Sequence, residues 1–397
     1  MFSELKPLPT DPILGLMAAY KKDTNPNKID LGVGVYKDEQ GHTPVLKAVK
    51  KAEAFRLENE TTKSYIGLAG NLDYCDKMEK LLLGNEHPAL LANRIRTAQA
   101  PGGTGALRVA AEFIKRCNAD ATVWVTNPTW ANHIGLFEAA GLTVKEYPYY
   151  DYENKGLLFD EMIEALKQVP KGDIVLLHAC CHNPSGMDLN AEQWQVVAEL
   201  AKDVGFTPLV DIAYQGFGSG LEEDAQGLRL LAATVDEMLI CSSCSKNFGL
   251  YRERIGACSF VAKDTAVADV ANSVLLSVVR SIYSMPPAHG ADIVNTILGS
   301  EELTQEWHQE LAEMRDRING LRSLLKDNLN AKDAGQDFSF IESQNGMFSF
   351  LGINKAQIDR LREEYSIYIV GSSRVNVAGV SKENIDYFAD AVAAVLK

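Results

Sequence analysis

The sequence predicts an α/β fold, a mostly parallel sheet flanked by helices, with a second, smaller α+β domain. Three observations carry this. From about residue 94 to 260 short apolar runs alternate with stretches of helical period, the pattern of parallel strands with helices on both faces. After Ala262 the pattern becomes helical, then closes with short strand-like runs and a last helix, which sets off an α+β unit. At 397 residues and 46% hydrophobic content, the chain can bury one large core and a smaller one.

Strands are expected near 95–100, 121–126, 142–147, 173–178, 207–212, 237–241 and 255–260. The first runs through TAQAP into GGTGALRVAAEFI, a glycine-rich turn followed by an amphipathic helix. Gly102, Gly103 and Gly105 let backbone approach a phosphate, and the helix N-terminus offers unpaired amides and a favourable dipole. The turn has neither the GxGxxG of dinucleotide domains nor the GxxxxGK[ST] of P-loops, so those readings fall. The fifth strand lies in FTPLVDIAYQGFG, where an apolar run ends on Asp211 and Tyr214 follows. A carboxylate at the carboxyl end of a buried parallel strand lies where open α/β sheets bind ligands. There Asp211 can pair with a protonated pyridine nitrogen, although alone it also fits a cap of the following turn.

One crossover later the run Met238–Ile240 leads into SSCSKNFGLYRERIG, which places Lys246 in a serine-rich turn shortly before Arg254. A lysine that forms an imine with an aldehyde cofactor needs rigid support, a neighbouring anion site and shelter from water. Ser243, Ser245 and Arg254 are the residues here suited to the anion site. Farther on, a long helix is expected over about 301–329, short strands at 338–341 and 346–350, and a final helix over 383–396.

Charge and cysteine usage exclude other classes. The net charge is −14, from 39 basic and 53 acidic residues, which argues against nucleic acid and anionic membranes as partners. Seven cysteines, an odd number scattered through apolar segments, suit a reducing compartment rather than a disulfide framework. Cys241 and Cys244 form a CxxC, but no second pair completes a zinc set, and no metal is expected. No run is read as a membrane span, and Met1 to Thr10 lacks a basic, apolar signal pattern, so a cytoplasmic protein is expected.

The motifs GVGVYKD (Gly32–Asp38), PGGTGALR (Pro101–Arg108), NPTWANH (Asn127–His133), HNPSG (His182–Gly186), DIAYQGF (Asp211–Phe217), SKNFGLYRER (Ser245–Arg254) and SRVNVAG (Ser373–Gly379) fall in one order along nearly the whole chain. Together they resemble the aspartate aminotransferases of bacterial type. The resemblance implies pyridoxal 5'-phosphate as cofactor, the type I fold of its enzymes, and a large domain over 47–300 beside a small domain formed by 1–46 and 301–397. It implies that Lys246 carries the cofactor as a Schiff base, that Asp211 faces the pyridine nitrogen, with His133 behind it, and that Trp130 stacks on the ring. Asn183 and Tyr214 share the phenolic oxygen, while Gly103, Thr104, Ser243, Arg254 and Tyr65 from a second subunit hold the phosphate. Arg374 is implied to bind the α-carboxylate, Gly34 to approach the substrate by its backbone, and Arg280 to reach across a homodimer interface to a side-chain carboxylate. Amino acids and 2-oxo acids are the implied substrates.

Departures from the family pattern bear on specificity. Ile282 and Met285 stand where Asn is common, Ser185 replaces a Thr, Ser373 a Gly, Cys244 an aromatic residue and Arg252 an Asn. Ile282 and Met285 make the side of the pocket near Arg280 less polar, which points to aromatic or broad-specificity transamination as the alternative. Lys37 and Thr43 keep the segment beside Gly34 polar and favour aspartate.

Overall fold

The computed structural model describes residues 2–7, 12–332 and 334–397; the opening segment read for a targeting signal lies partly outside them. The chain divides into two compact units, residues 44–183 with 187–316, and residues 1–43 with 184–186 and 317–397. The division falls inside the long helix Glu301–Ala331.

The larger unit is built on a seven-stranded sheet. Its strands are β1 (Ile95–Pro101), β2 (Thr122–Asn127), β3 (Thr143–Pro148), β4 (Ile174–His178), β5 (Thr207–Ile212), β6 (Met238–Ser243) and β7 (Ile255–Val261). Their order is β1-β7-β6-β5-β4-β2-β3. β7 runs antiparallel to both of its neighbours, β1 and β6, while β6, β5, β4, β2 and β3 pair in parallel. Strands β6 and β7 are buried at every position, which is why they read as continuous apolar runs rather than alternating ones. Each of the seven strands expected between 95 and 260 is present, shifted by no more than two residues at an end.

Helix Gly102–Cys117 follows β1 directly and packs Leu107, Val109, Ala110, Phe113 and Ile114 into the core with Cys241, Cys258 and Phe260. Burying five such side chains contributes about 10 kcal/mol before ordering costs. Helix Thr265–Ile282, capped by Asp264 accepting from Val267 N, has the length and hydropathy of a bilayer span. Its Ala268, Leu275, Val278 and Val279 pack into the same core, while Val267, Val270 and Ile282 are exposed.

The smaller unit pairs Ile29–Asp30 in parallel with Ile367–Tyr368, and Phe348–Phe350 antiparallel with Arg374–Asn376. Two expectations shift here. Residues 338–341 are not a strand: Ser339–Ile341 form a 3₁₀ turn in which Phe338 and Ile341 are buried, so two core residues three apart mimic a strand's apolar content. The strand expected over 346–350 is present but begins two residues later, at Phe348–Phe350.

Candidate active site

The chain reverses direction at β7, so the carboxyl ends of β1, β2, β4, β5 and β6 and the start of β7 share one edge of the sheet. Gly102 to Thr104, Trp130, Asn183, Asp211, Ser243, Lys246 and Arg254 all lie at or just beyond that edge. Ser243 Oγ donates to Ser245 Oγ at 3.0 Å, and Ser245 N donates back to Ser243 Oγ at 3.2 Å. Arg254, in the left-handed region at φ 57°, extends Nη1 to within 3.5 Å of Ser245 Oγ. Its guanidinium covers Gly102, the first residue of helix Gly102–Cys117: a Cβ there would stand 2.3 Å from Arg254 Nη2, and Gly102 itself has φ 75°. A Cβ on Gly103 would stand 3.2 Å from Ser243 Cβ. Two positive features, a guanidinium and a helix N-terminus, thus converge beside two hydroxyls, an arrangement that is balanced by an anion.

Lys246 follows β6 in a turn held from behind. Trp307 Nε1 donates to the Asn247 carbonyl at 2.7 Å, and its ring stacks on Phe248 at 4.2 Å. The lysine Nζ lies 4.5 Å from the centre of the Tyr214 ring. Asp211 Oδ2 meets His133 Nε2 at 2.9 Å, and Thr129 Oγ1 meets His133 Nδ1 at 2.8 Å. Burial opposes the Asp211 charge, but the His133 hydrogen bond and nearby positive groups, Lys246 among them, outweigh it and hold the carboxyl below its ordinary range. Two further imidazoles complete the network. His178 lies 5.3 Å from His133 and 4.2 Å from His182, whose Nε2 meets Thr126 Oγ1 at 3.0 Å. Burial, then the neighbouring His133, pushes His178 down to about 3, and burial holds His182 well below its ordinary value. Trp130 packs edge-to-face on His133 at 5.2 Å.

In the smaller unit Arg374 is 5% exposed, donates from Nη2 to the Gly32 carbonyl at 2.7 Å, and rests 4.2 Å from the centre of the Phe348 ring. Phe348 pairs with Asn376 and Phe350 with Arg374, so all four side chains share one face and the stacking is a diagonal cross-strand contact. Asn376 Nδ2 donates to the Val33 and Val35 carbonyls at 2.6 and 2.8 Å, shaping the backbone around Gly34. A Cβ on Gly34 would meet Phe348 Cζ at 2.8 Å. Ser373, where a Gly is usual, takes φ 71° and accepts from Ile353 N at 3.1 Å.

Two expected residues stand apart on exposed surface. Tyr65 is 93% exposed, and Arg280, at the end of helix Thr265–Ile282, is held by Nη1 to Ser284 Oγ at 2.6 Å. Lys37 reaches the Asp30 carboxylate at 3.3 Å and the Thr43 hydroxyl donates to the Tyr36 carbonyl, so both serve local structure. The buried Cys244 lies beside Tyr74 Oη and Met78 Sδ. Cys180, Cys181 and Asp224 bring ligand-type atoms together, but Asp224 accepts from Gly216, Gly218 and Ser219 amides at 2.8–2.9 Å and so ties a loop. Sequence reasoning missed His178, His182, Phe348 and Asn376. The spacing of His178 and His182, four residues apart across the end of β4, is the one signal that offered a lead.

Comparison with known proteins converges with this geometry. The family described as aminotransferase class I and II matches residues 26–392. The aspartate aminotransferase of Escherichia coli (strain K12) is 52% identical over 396 residues, with 100% of both chains covered. The aromatic-amino-acid aminotransferase of Pseudomonas aeruginosa is 46% identical over 394 residues, covering 99% of this chain and 98% of that one. The crystal structure of an aromatic-amino-acid aminotransferase from Burkholderia pseudomallei, covalently bound to pyridoxal phosphate, superposes with a TM-score of 0.98 at 48% identity over 100% of both chains. This chain belongs to the class I and II aminotransferases.

Proposed function

We propose that this protein is a pyridoxal phosphate-dependent aspartate aminotransferase, moving the amino group reversibly between L-aspartate and 2-oxoglutarate to give oxaloacetate and L-glutamate. The observation that carries the reading is one sheet edge with three features: an anion cradle at Gly102, Ser243, Ser245 and Arg254, a supported lysine at Lys246, and an ionised carboxylate at Asp211. The residues fit the cofactor. The cradle matches a phosphate monoester, and Gly102 leaves no room for a side chain where Arg254 lies. When bound, pyridoxal phosphate supplies an aldehyde for amine capture and a protonated ring that takes up the electron pair left at the substrate α-carbon.

The chain's own residues do the rest. Gly103, Thr104, Ser243 and Arg254, with Tyr65 of the partner subunit, hold the phosphate. Lys246 Nζ is the point of attachment, and once released it accepts the α-proton and returns it, one amine serving as base and acid. Asp211 keeps its negative charge toward the pyridine nitrogen; His133 fixes one of its oxygens, and the neutral His178 adds no competing charge. Trp130 supplies an aromatic face to the ring, and Asn183 and Tyr214 donate to the phenolic oxygen. Arg374 takes the substrate α-carboxylate as a bidentate fork, Gly34 lets backbone approach the substrate, and Arg280 of the partner subunit takes the side-chain carboxylate.

This assignment calls for a homodimer, and exposed apolar side chains support that reading. Leu57, Tyr65, Leu72 and Val270 are 85, 93, 70 and 69% exposed, apolar surface that a second copy would cover. A cytoplasmic setting without nucleic-acid or membrane partners accords with seven free cysteines and the net charge of −14.

Aromatic or broad-specificity transamination is the second reading, favoured by Ile282, 38% exposed two residues from Arg280, and by similarity to aromatic-amino-acid aminotransferases. Steady-state kinetics on aspartate, glutamate, phenylalanine and tyrosine separates the two. The proposal expects kcat/KM to be highest for aspartate and glutamate. Aromatic values equal to or above these would install the second reading, and loss of both visible absorbance and transamination would end both.

A further inference from the structure

Arg322 lies on helix Glu301–Ala331 and is 2% exposed, one of the largest buried side chains among the described residues. Its Nη1 donates to the Ile341 carbonyl at 3.1 Å, and its Nη2 donates to the Gly346 and Phe348 carbonyls, both at 2.6 Å. Removing a guanidinium from water is costly, and a methionine would fill similar volume without that cost. What the guanidinium supplies is a fork that grips several carbonyls at once.

The gripped carbonyls belong to one short segment. It turns at Gly346, with φ 78°, and enters strand Phe348–Phe350. The opposite side of the segment is pinned as well. Asn345 N donates to the Gly186 carbonyl at 2.7 Å, and a Cβ on Gly186 would stand 2.6 Å from Phe348 O. With backbone fixed on both sides, the Phe348 ring has little freedom. It carries the Arg374 guanidinium at 4.2 Å and closes against Gly34.

We infer that Arg322 is a positioning residue for substrate binding: by clamping the Gly346 and Phe348 carbonyls it sets the ring on which the Arg374 guanidinium rests. The inference rests on the reading of Arg374 as the α-carboxylate arm. Since every amino acid and 2-oxo acid substrate has that carboxylate, the effect is on affinity for all of them, independent of side chain. It leaves the attachment of cofactor at Lys246 untouched.

The test uses the holoenzyme with Arg322→Met, Arg322→Lys, Phe348→Leu and Arg374→Lys, measuring KM and kcat for aspartate and phenylalanine beside visible cofactor absorbance. Arg322→Met and Phe348→Leu are each expected to raise KM about tenfold for both substrates, with absorbance retained. Arg322→Lys keeps a donor cation without the fork and is expected to recover part of the loss, leaving KM about threefold raised. The double variant Arg322→Met with Phe348→Leu is expected to be no worse than the poorer single, since both act through one ring. If Arg322→Met does not fold, Arg322→Lys and Phe348→Leu carry the test alone. KM for both substrates unchanged in those two variants, while Arg374→Lys raises it strongly, overturns the inference. KM unchanged in Arg374→Lys instead overturns the assignment of Arg374 and leaves the clamp without a function.

Discussion

Lowering the pH from 7 to 5 tests the imidazole network around Asp211 through His178. The fold holds this ring neutral, its pKa pushed down to about 3 by burial and by the neighbouring His133. In the unfolded chain a histidine takes up a proton near 6.5. Below 6.5 the unfolded state therefore binds a proton that the folded state refuses, and stability falls by about 1.36 kcal/mol per pH unit until the folded ring titrates near 3. Over the step to pH 5 this amounts to about 2 kcal/mol from His178 alone. Asp211 adds nothing in that window: its depressed pKa contributes stability above the ordinary carboxylate range, lost only at lower pH. His178→Asn removes the titrating group and keeps a polar side chain. Urea unfolding of holo wild type and variant at pH 7 and pH 5, at matched ionic strength and protein concentration, reads the difference of differences. His178 is only partly shielded from solvent, so the criterion is a wild-type loss at least about 1 kcal/mol greater than the variant's. Equal losses, or a greater loss in the variant, would mean that His178 is not held neutral and that the account of the network is wrong.

Other predictions concern catalysis directly. Asp211→Ala should lose far more activity than Asp211→Glu, since glutamate keeps the charge although it displaces it; equal losses in a steady-state assay would mean that charge is not what matters. Arg280→Ala should lower kcat/KM for aspartate by about a hundredfold more than for phenylalanine, because only aspartate loses an ion pair. A uniform loss would remove Arg280 from the side-chain subsite. Mixing Lys246→Ala with Arg280→Ala under subunit exchange should restore roughly a quarter of wild-type aspartate activity, through mixed dimers with one intact site. No recovery with exchange confirmed by mass measurement would put both residues in one chain's site.

The central strands were legible because burial on both faces forces runs of apolar and β-branched residues, and Asp211, Ser243 and Lys246 lie at or just beyond the ends of such runs. The smaller unit was less so. Its strands are two or three residues long, too short to show alternation, and residues 338–341 carried strand-like apolarity into a 3₁₀ turn. Phe348, His178 and Arg322 act through partners distant in sequence, Arg374, His133 and the 341–348 carbonyls, and no local pattern announces such pairings. Tyr65 and Arg280 were singled out by family resemblance alone; within one chain both are exposed.

The central claim is that Lys246 carries the cofactor. Treating the holoenzyme with borohydride fixes pyridoxal phosphate to the amine that holds it, and tryptic digestion with mass spectrometry locates the label. Expected are loss of the visible absorbance band and a pyridoxyl-phosphate mass on the tryptic peptide spanning residues 230–252, uncleaved after Lys246. The same mass on any other lysine, with Lys246 unmodified, would contradict it.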